Sequence, residues 1–379
     1  MDFAWSPGQA ARHDEILTAA ETYFPAEPVP EQGFYSRKDW RRLGELGVLG
    51  ASVPSEYGGG GLGALDAAHV YEAVGRGCAN TGLVFAAAAH LFACAMPIVE
   101  FAKPEVRERF LPGMCGGELV AGNAMTEENA GSDVSRLSVT ATAVDGGYLL
   151  DGVKSFVSNG PEADVYVTYA TTDPKAGHLG TTGFVVERDA EGLTAGEPLR
   201  KAGLHACPAG TVTFDRCFVP EEQLLGLPGQ GSAIFQQSMA WERACLFALY
   251  VGVQDRLLDL CVRHARRRRQ FGQRIGDFQS VSNRIVEMKL RLESARLLLY
   301  RACWEHDRGD HAVLSVALSK LAVSEGVVAS ALDAVQVFGG RGYLQEDGIE
   351  AVLRDALPSR IFSGTSEIQR QLVARELGL

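Results

Sequence analysis

The sequence predicts an α+β protein in which a small β domain is held between two helical blocks, with a cleft where they meet. Three observations carry that reading. Apolar residues recur at three- and four-residue spacing over residues 10–119, the period drops to two over residues 120–225, and the helical period returns from Gly229 onward. Domain bounds of 1–119, 120–225 and 226–379 follow from those two changes. A chain of 379 residues has room for two or three domains, at roughly 100–200 residues each. An apolar fraction of 46% with 22% charged residues excludes a disordered or collagen-like chain.

In the first block, Ser36, Pro54 and Pro97 punctuate the helical pattern. The run Gly58-Gly59-Gly60-Gly61 lacks the Gly-Lys-Ser/Thr ending of a phosphate loop and follows no strand, so it reads as a flexible connector. Residues 83–99 form the longest apolar stretch, interrupted by His90 and ending at Pro97. Rich in alanine and slightly short for a membrane span, the stretch predicts a buried core helix. In the middle third, residues 139–144 and 165–169 alternate, and Phe184-Val185-Val186 and Thr211-Val212-Thr213-Phe214 are further strand runs. Turns such as Asp145-Gly146-Gly147 separate them, giving a compact antiparallel β domain. After Gly229 the chain is helical with few breakers until Gly339-Gly340. No G-x-G-x-x-G follows a strand, so a nicotinamide-binding Rossmann domain is not supported.

The charge balance narrows the function. Lys and Arg number 36 against 47 Asp and Glu, a net charge of −11, the wrong sign for a general nucleic-acid binder. The eight cysteines include no C-x-x-C pair, so no zinc or iron–sulfur site is expected. They read as reduced, buried thiols of a cytosolic protein. Met1-Asp2-Phe3-Ala4-Trp5 has neither the basic start nor the apolar run of an export signal. The expectation is a cytoplasmic protein with no membrane span.

Five segments could carry chemistry. On the helix starting near Ser232, Phe235, Met239, Leu246, Val253, Leu257 and Leu260 share an apolar stripe, and Glu242 falls near its middle. A carboxylate there is paired, with Arg243 for example, or it faces a cavity. Gly131-Ser132-Asp133 is either a ligand loop, placed just before the first strand, or ordinary turn chemistry. Phe156 and Ser158, two apart on a strand, point to one face for packing or for a ligand. Arg266-Arg267-Arg268-Arg269 could receive a phosphate or simply be solvated. Ser366 and Gln369 have capping-box spacing, so a helix begins there and its free amides could hold an anion.

Taken in order, these segments resemble the acyl-CoA dehydrogenase family of flavoproteins, essentially end to end. Met125-Thr126 through Asp133 is similar to the family's first signature, and Arg268-x-Gln270-Phe271-Gly272 with Gln279 to its middle one. Gln336-x-x-Gly339-Gly340-x-Gly342 and Gly364-Thr365-Ser366-Glu367-Ile368-Gln369-Arg370 resemble the C-terminal signature. The resemblance implies an N-terminal helical domain, a middle antiparallel β domain and a C-terminal four-helix bundle. FAD would lie between the last two, in a homodimer or homotetramer whose neighbouring subunit completes each flavin site. Among the cofactor residues it implies, Met125 opens the first segment, Thr126 and Ser158 bond the isoalloxazine, Phe156 covers one flavin face and Ser132 reaches the pyrophosphate. It assigns Arg268, Phe271, Gln279, Gln336, Gly339 and Gly340 to the ADP half of the neighbour's flavin, and Thr365 and Glu367 to the last helix's contribution. Phe156 and Ser158 stand where the family usually has Trp and Thr, swaps that keep the type of contact.

One departure decides the mechanism. Many members carry the catalytic glutamate immediately before the Gly-Thr of the last motif, where this chain has Ser363. A serine hydroxyl needs a base of its own. A minority, including isovaleryl-CoA dehydrogenase-like enzymes, places the glutamate on the bundle helix, and Glu242 stands at that position. The resemblance therefore implies that Glu242 takes the proton α to a thioester carbonyl while hydride leaves the β carbon for the flavin. Arg243, Ser363 and Gly364 would meet the substrate. That substrate is an acyl-CoA or a carrier-protein-bound acyl or aminoacyl group, and the electron acceptor a protein such as electron-transfer flavoprotein. A flavin oxidase or monooxygenase on the same fold is the principal alternative. A DNA-associated relative and a catalytically dead homologue are the others.

Overall fold

The computed structural model describes residues 4–24 and 34–379; Met1-Asp2-Phe3, part of the export-signal reading, lie outside the described residues. The first block comprises α1 (Pro7–Tyr23), α2 (Arg37–Glu45), α3 (Ala64–Gly77), α4 (Thr81–Ala88), α5 (Met96–Phe101) and α6 (Pro104–Gly116). Ser6 and Gln9 form a reciprocal capping box at the start of α1.

The apolar stretch is buried as expected, but it is not one α-helix. A π-helical turn, Ala89–Ala95, joins α4 to α5, and Pro97 continues the helix instead of ending it. The wider turn relieves the clash that the proline ring makes with an α-helical carbonyl. His90 is a satisfied core residue: Ala121 N donates to Nδ1 at 2.9 Å, and Nε2 lies 3.2 Å from the Met114 carbonyl. That imidazole pins the helix to the first strand. The glycine run is a packed turn, not a flexible connector. Gly58 closes a short turn at φ +86°, and a Cβ on Gly59 would lie 2.0 Å from the Val53 carbonyl.

The middle block has eight strands: β1 (Ala121–Ala124), β2 (Thr140–Val144), β3 (Gly147–Ser158), β4 (Val165–Thr171), β5 (Thr181–Glu187), β6 (Leu193–Ala195), β7 (Ala209–Pro220) and β8 (Leu224–Leu225). Their order is β6-β7-β3-β2-β4-β5-β8, with β1 added beside β4. Pairing is mostly antiparallel, while β1 meets β4 in parallel and β2 touches β4 in parallel at one register position. Every residue from Val165 to Ala170 is buried. Tyr166 and Ala170 enter the sheet's own core with Phe184 and Phe214, whereas Val165, Val167 and Tyr169 pack on the helical side. The period of two thus separates two buried faces, not core from solvent.

The last block comprises α7 (Gly231–Trp241), α8 (Ala248–Arg267), α9 (Gln279–Asp307), α10 (Val313–Phe338), α11 (Ile349–Ala356) and α12 (Ser366–Glu376), with a two-stranded hairpin over residues 269–274. Helices α8, α9 and α10 pack side by side, and α12 lies on α10. Against α8 lies α3, whose close approach depends on small residues: a Cβ on Gly252 would fall 2.1 Å from the Glu72 carbonyl. All eight cysteines are buried and unbridged, and no cluster of metal-ligating side chains occurs among the described residues.

Candidate active site

The three blocks enclose a cleft of about 500 Å³. One wall is the core helix, with Phe85, Ala89 and Ala93; another is the sheet edge, with Asn123, Met125, Thr126, Ser132, Phe156 and Ser158. Phe235, Met239, Glu242 and Arg243 close it from the bundle, and Ser363, Gly364 and Thr365 from the turn before α12.

A buried ion pair shapes the sheet wall. Lys154 Nζ donates to Glu127 Oε1 at 2.8 Å and to the Met125 carbonyl at 3.1 Å, with both side chains nearly inaccessible. Glu127 also accepts from the Val139 amide at 3.1 Å and from Ser138. Burial pushes the Glu127 carboxyl up, but Lys154 and these hydrogen bonds hold it below its ordinary value. Burial brings Lys154 down to about 8. The segment Met125–Asp133 therefore hangs from an internal anchor. It follows β1, contrary to the expected place ahead of the first strand, because β1 is the short parallel strand whose composition (Ala-Gly-Asn-Ala) carries no β signal.

Phe156 and Ser158 both line the cleft, yet not through regular alternation. The β3–β7 register shifts between Lys154 and Val157, and Phe156 adopts φ +57° with its side chain 59% exposed. A bulge re-aims the ring. An uncovered aromatic face beside small hydroxyl residues suits a planar heterocycle, and Asn123, on the same wall, carries a buried Oδ1 with no partner. These features fit a flavin ring.

Glu242 begins a π-helical turn, Glu242–Leu246, between α7 and α8. Of its sequence-predicted stripe, Phe235, Met239, Leu246, Val253 and Leu257 are buried, and Leu260 packs partly on the core. The carboxylate is itself buried, with Oε1 accepting a hydrogen bond from the Ser363 hydroxyl and Oε2 unpartnered. The paired reading with Arg243 does not hold: among the described residues no ion pair joins the two side chains, and Arg243 Nε donates to the Ser363 carbonyl at 2.8 Å. Burial raises the Glu242 pKa, while Ser363, Arg243 and Lys320 pull it back. A buried carboxylate with one free oxygen, kept above the ordinary range, can take a proton from a group in the cleft.

Sequence reasoning missed Lys320, Asn123, Glu127 and Lys154. Lys320 is fully buried on α10, its Nζ unpartnered and 5.2 Å from the centre of the Phe247 ring. Burial and the nearby Arg243 push it down to about 8. A lysine inside the apolar run of α10 was the available signal.

Gly364 and Thr365 also reach the cleft, and the N-cap of α12 is Thr365, not the expected Ser366. Thr365 Oγ1 accepts from the Ile368 amide at 3.3 Å, and the hydroxyl of Ser366 goes instead to Glu325 at 2.7 Å. Glu367 faces solvent and pairs with Arg370 at 3.3 Å. Arg268, Phe271, Gln279, Gln336, Gly339 and Gly340 stand outside the cleft. They gather where α8 ends, α9 begins and α10 ends, around a His264–Phe338 stack 4.2 Å apart. Phe271 is 93% exposed there.

Comparison with known proteins bears on the family and the fold. Family profiles for the acyl-CoA dehydrogenase N-terminal, middle and C-terminal domains match residues 10–118, 122–217 and 229–378. An L-prolyl-[peptidyl-carrier protein] dehydrogenase from Pseudomonas fluorescens is 54% identical, covering 100% of both chains. The solved structure of PigA with FAD and proline superposes with a TM-score of 0.97 at 44% identity, again over 100% of both chains. That of the prolyl acyl carrier protein oxidase AnaB superposes with a TM-score of 0.96 at 40% identity, covering 99% of this chain and 100% of AnaB.

Proposed function

The chain belongs to the acyl-CoA dehydrogenase family, and on that premise we propose that Glu242 is the base for oxidation of a carrier-bound L-prolyl thioester. The protein is an FAD-dependent oxidoreductase acting on the CH–CH bond of a thioester substrate. The preference for a prolyl group on a carrier protein draws support from the names of its relatives. The residue that carries the proposal is Glu242, a buried carboxylate whose only unpartnered oxygen belongs to a cleft-lining side chain.

Met125, Thr126, Ser132, Phe156 and Ser158 are the residues that would hold the flavin ring and its pyrophosphate end. When bound, FAD supplies the two-electron acceptor. The chain's own work is on the proton. Glu242 Oε2 receives the α proton, which is acidified when donors meet the thioester oxygen. The backbone before α12 and the unengaged nitrogens of Arg243 stand on the same wall to supply such donors. Phe85, Phe235 and Met239 keep water from the base, which sustains its raised pKa.

Anaerobic bleaching of the bound flavin by L-prolyl-carrier protein and a panel of acyl-CoA thioesters tests the reading. Reduction by the prolyl-carrier thioester at least tenfold faster than by any acyl-CoA is expected; preference for an acyl-CoA would overturn the carrier assignment. A second reading concerns the acceptor, since AnaB is named an oxidase. Oxygen uptake at the rate of turnover would assign this chain to that behaviour, and slow uptake would leave electron-transfer flavoprotein as the acceptor class.

A further inference from the structure

We infer that Ser363 is a positioning residue for Glu242: its hydroxyl fixes the carboxylate so that Oε1 is occupied and Oε2 alone is left to act as the base. The inference rests on the proposed role of Glu242 and deepens it. The family resemblance places Ser363 against the substrate, whereas in the fold its Oγ donates to Glu242 Oε1. The backbone under it is built for that purpose. Ser363 sits at φ +55°, a conformation that a side-chain-bearing residue adopts only when its surroundings impose it. The surroundings are three hydrogen bonds. Arg243 Nε holds the Ser363 carbonyl at 2.8 Å, and Gln369 Nε2 spans the Ser363 and Gly364 carbonyls at 3.3 and 3.0 Å.

The arrangement explains why an arginine next to the base does not neutralise it. Arg243 spends its Nε on the strained turn, so Glu242 meets a neutral hydroxyl donor instead of a salt bridge. A hydrogen bond to the charged form favours that form, but far less than a bidentate guanidinium does. The carboxylate is thereby oriented without being disarmed.

Other groups facing Glu242 set the background against which Ser363 acts. Arg243 lies on its own turn, and Lys320 approaches from α10. Cys94 from the π turn at Ala89–Ala95 and Tyr169 from β4 are close enough to feel its charge, and burial keeps both neutral. Arg375 on α12 lines the same cleft.

The test uses the FAD-loaded protein with Ser363→Ala and Ser363→Gly. Both remove the hydroxyl, and glycine also removes the backbone strain. The direct readout is the infrared carboxyl band that Glu242→Gln abolishes, titrated against pH without substrate. Losing one hydrogen bond to a charged group should move that titration up by about one to two pH units in both variants. The acid limb of flavin reduction should move up by the same amount, so that the rate falls at pH values on that limb and recovers at higher pH. An unshifted band in either folded variant would overturn the inference. So would a shift with glycine and none with alanine, because the strained turn and not the hydroxyl would then be responsible. The substrate-free titration separates this outcome from failure of the proposed function, which would show as a wild-type flavin that no thioester bleaches.

Discussion

At the scale of single residues, the chemistry of the cleft reduces to where one negative charge sits. Glu242 is buried, and its pKa is raised first by loss of solvent. Its base form is therefore lost as pH falls through that raised value, so flavin reduction should show an acid limb above the ordinary carboxylate range. Stability runs the opposite way. A carboxyl whose folded pKa lies above its unfolded one contributes stability below the unfolded pKa and loses it as pH rises through the folded pKa. Glu242→Gln should match the wild type in melting temperature near pH 4 and exceed it near pH 8; equal melting temperatures at both pH values would contradict the burial argument. The position of this glutamate was legible in the sequence because a carboxylate on an apolar stripe has few structural excuses. Its partner was not. Adjacent residues on a helix point around it, so Arg243 was the near neighbour in sequence while Ser363, 121 residues away, provides the contact.

At the scale of elements, β2, β4, β5, β7 and the long helices were legible from periodicity, and the irregular segments that build the site were not. Two π-helical turns, Ala89–Ala95 and Glu242–Leu246, pack against each other and both line the cleft. The first leaves the apolar pattern intact because its segment is buried all round, and the second leaves its stripe from Phe235 to Leu257 still recognisable. The bulge that exposes Phe156 was equally silent: β3 shifts register twice, between Leu150 and Gly152 and between Lys154 and Val157, so it carries no regular alternation to read. The internal anchor of the Met125–Asp133 segment is the most exposed to test. Lys154→Met leaves Glu127 buried and unpaired, at a cost of about 3–5 kcal/mol. Flavin retention after gel filtration should fall along with the melting temperature. The double variant Glu127→Gln with Lys154→Met should recover part of the stability, since no bare charge remains; a double variant as unstable as the single would show that the pair is not the anchor.

At the scale of the whole molecule, helix, sheet and helix converge because each block contributes one wall of the same cleft. The order of the blocks was readable from two changes of period. What could not be read was that the middle and C-terminal signatures divide into two places, with Gly364 and Thr365 in the cleft and Arg268, Phe271, Gln279, Gln336, Gly339 and Gly340 in an exposed group around the ends of α8 and α10. Sequence order carries no information on which side of a bundle a helix end will emerge. An exposed phenylalanine and a guanidinium are what a neighbouring subunit's flavin would require. Arg268→Ala should then lower flavin content per chain without changing the melting temperature of the flavin-free protein; undiminished flavin content would show that the group serves only the surface. The central claim concerns the base. Anaerobic stopped-flow reduction of the flavin by substrate in Glu242→Gln, at flavin content equal to the wild type, tests it most directly. The rate should fall by about 10²–10⁴-fold, the usual cost of removing a positioned general base, with thioester binding retained; reduction at the wild-type rate would contradict the account.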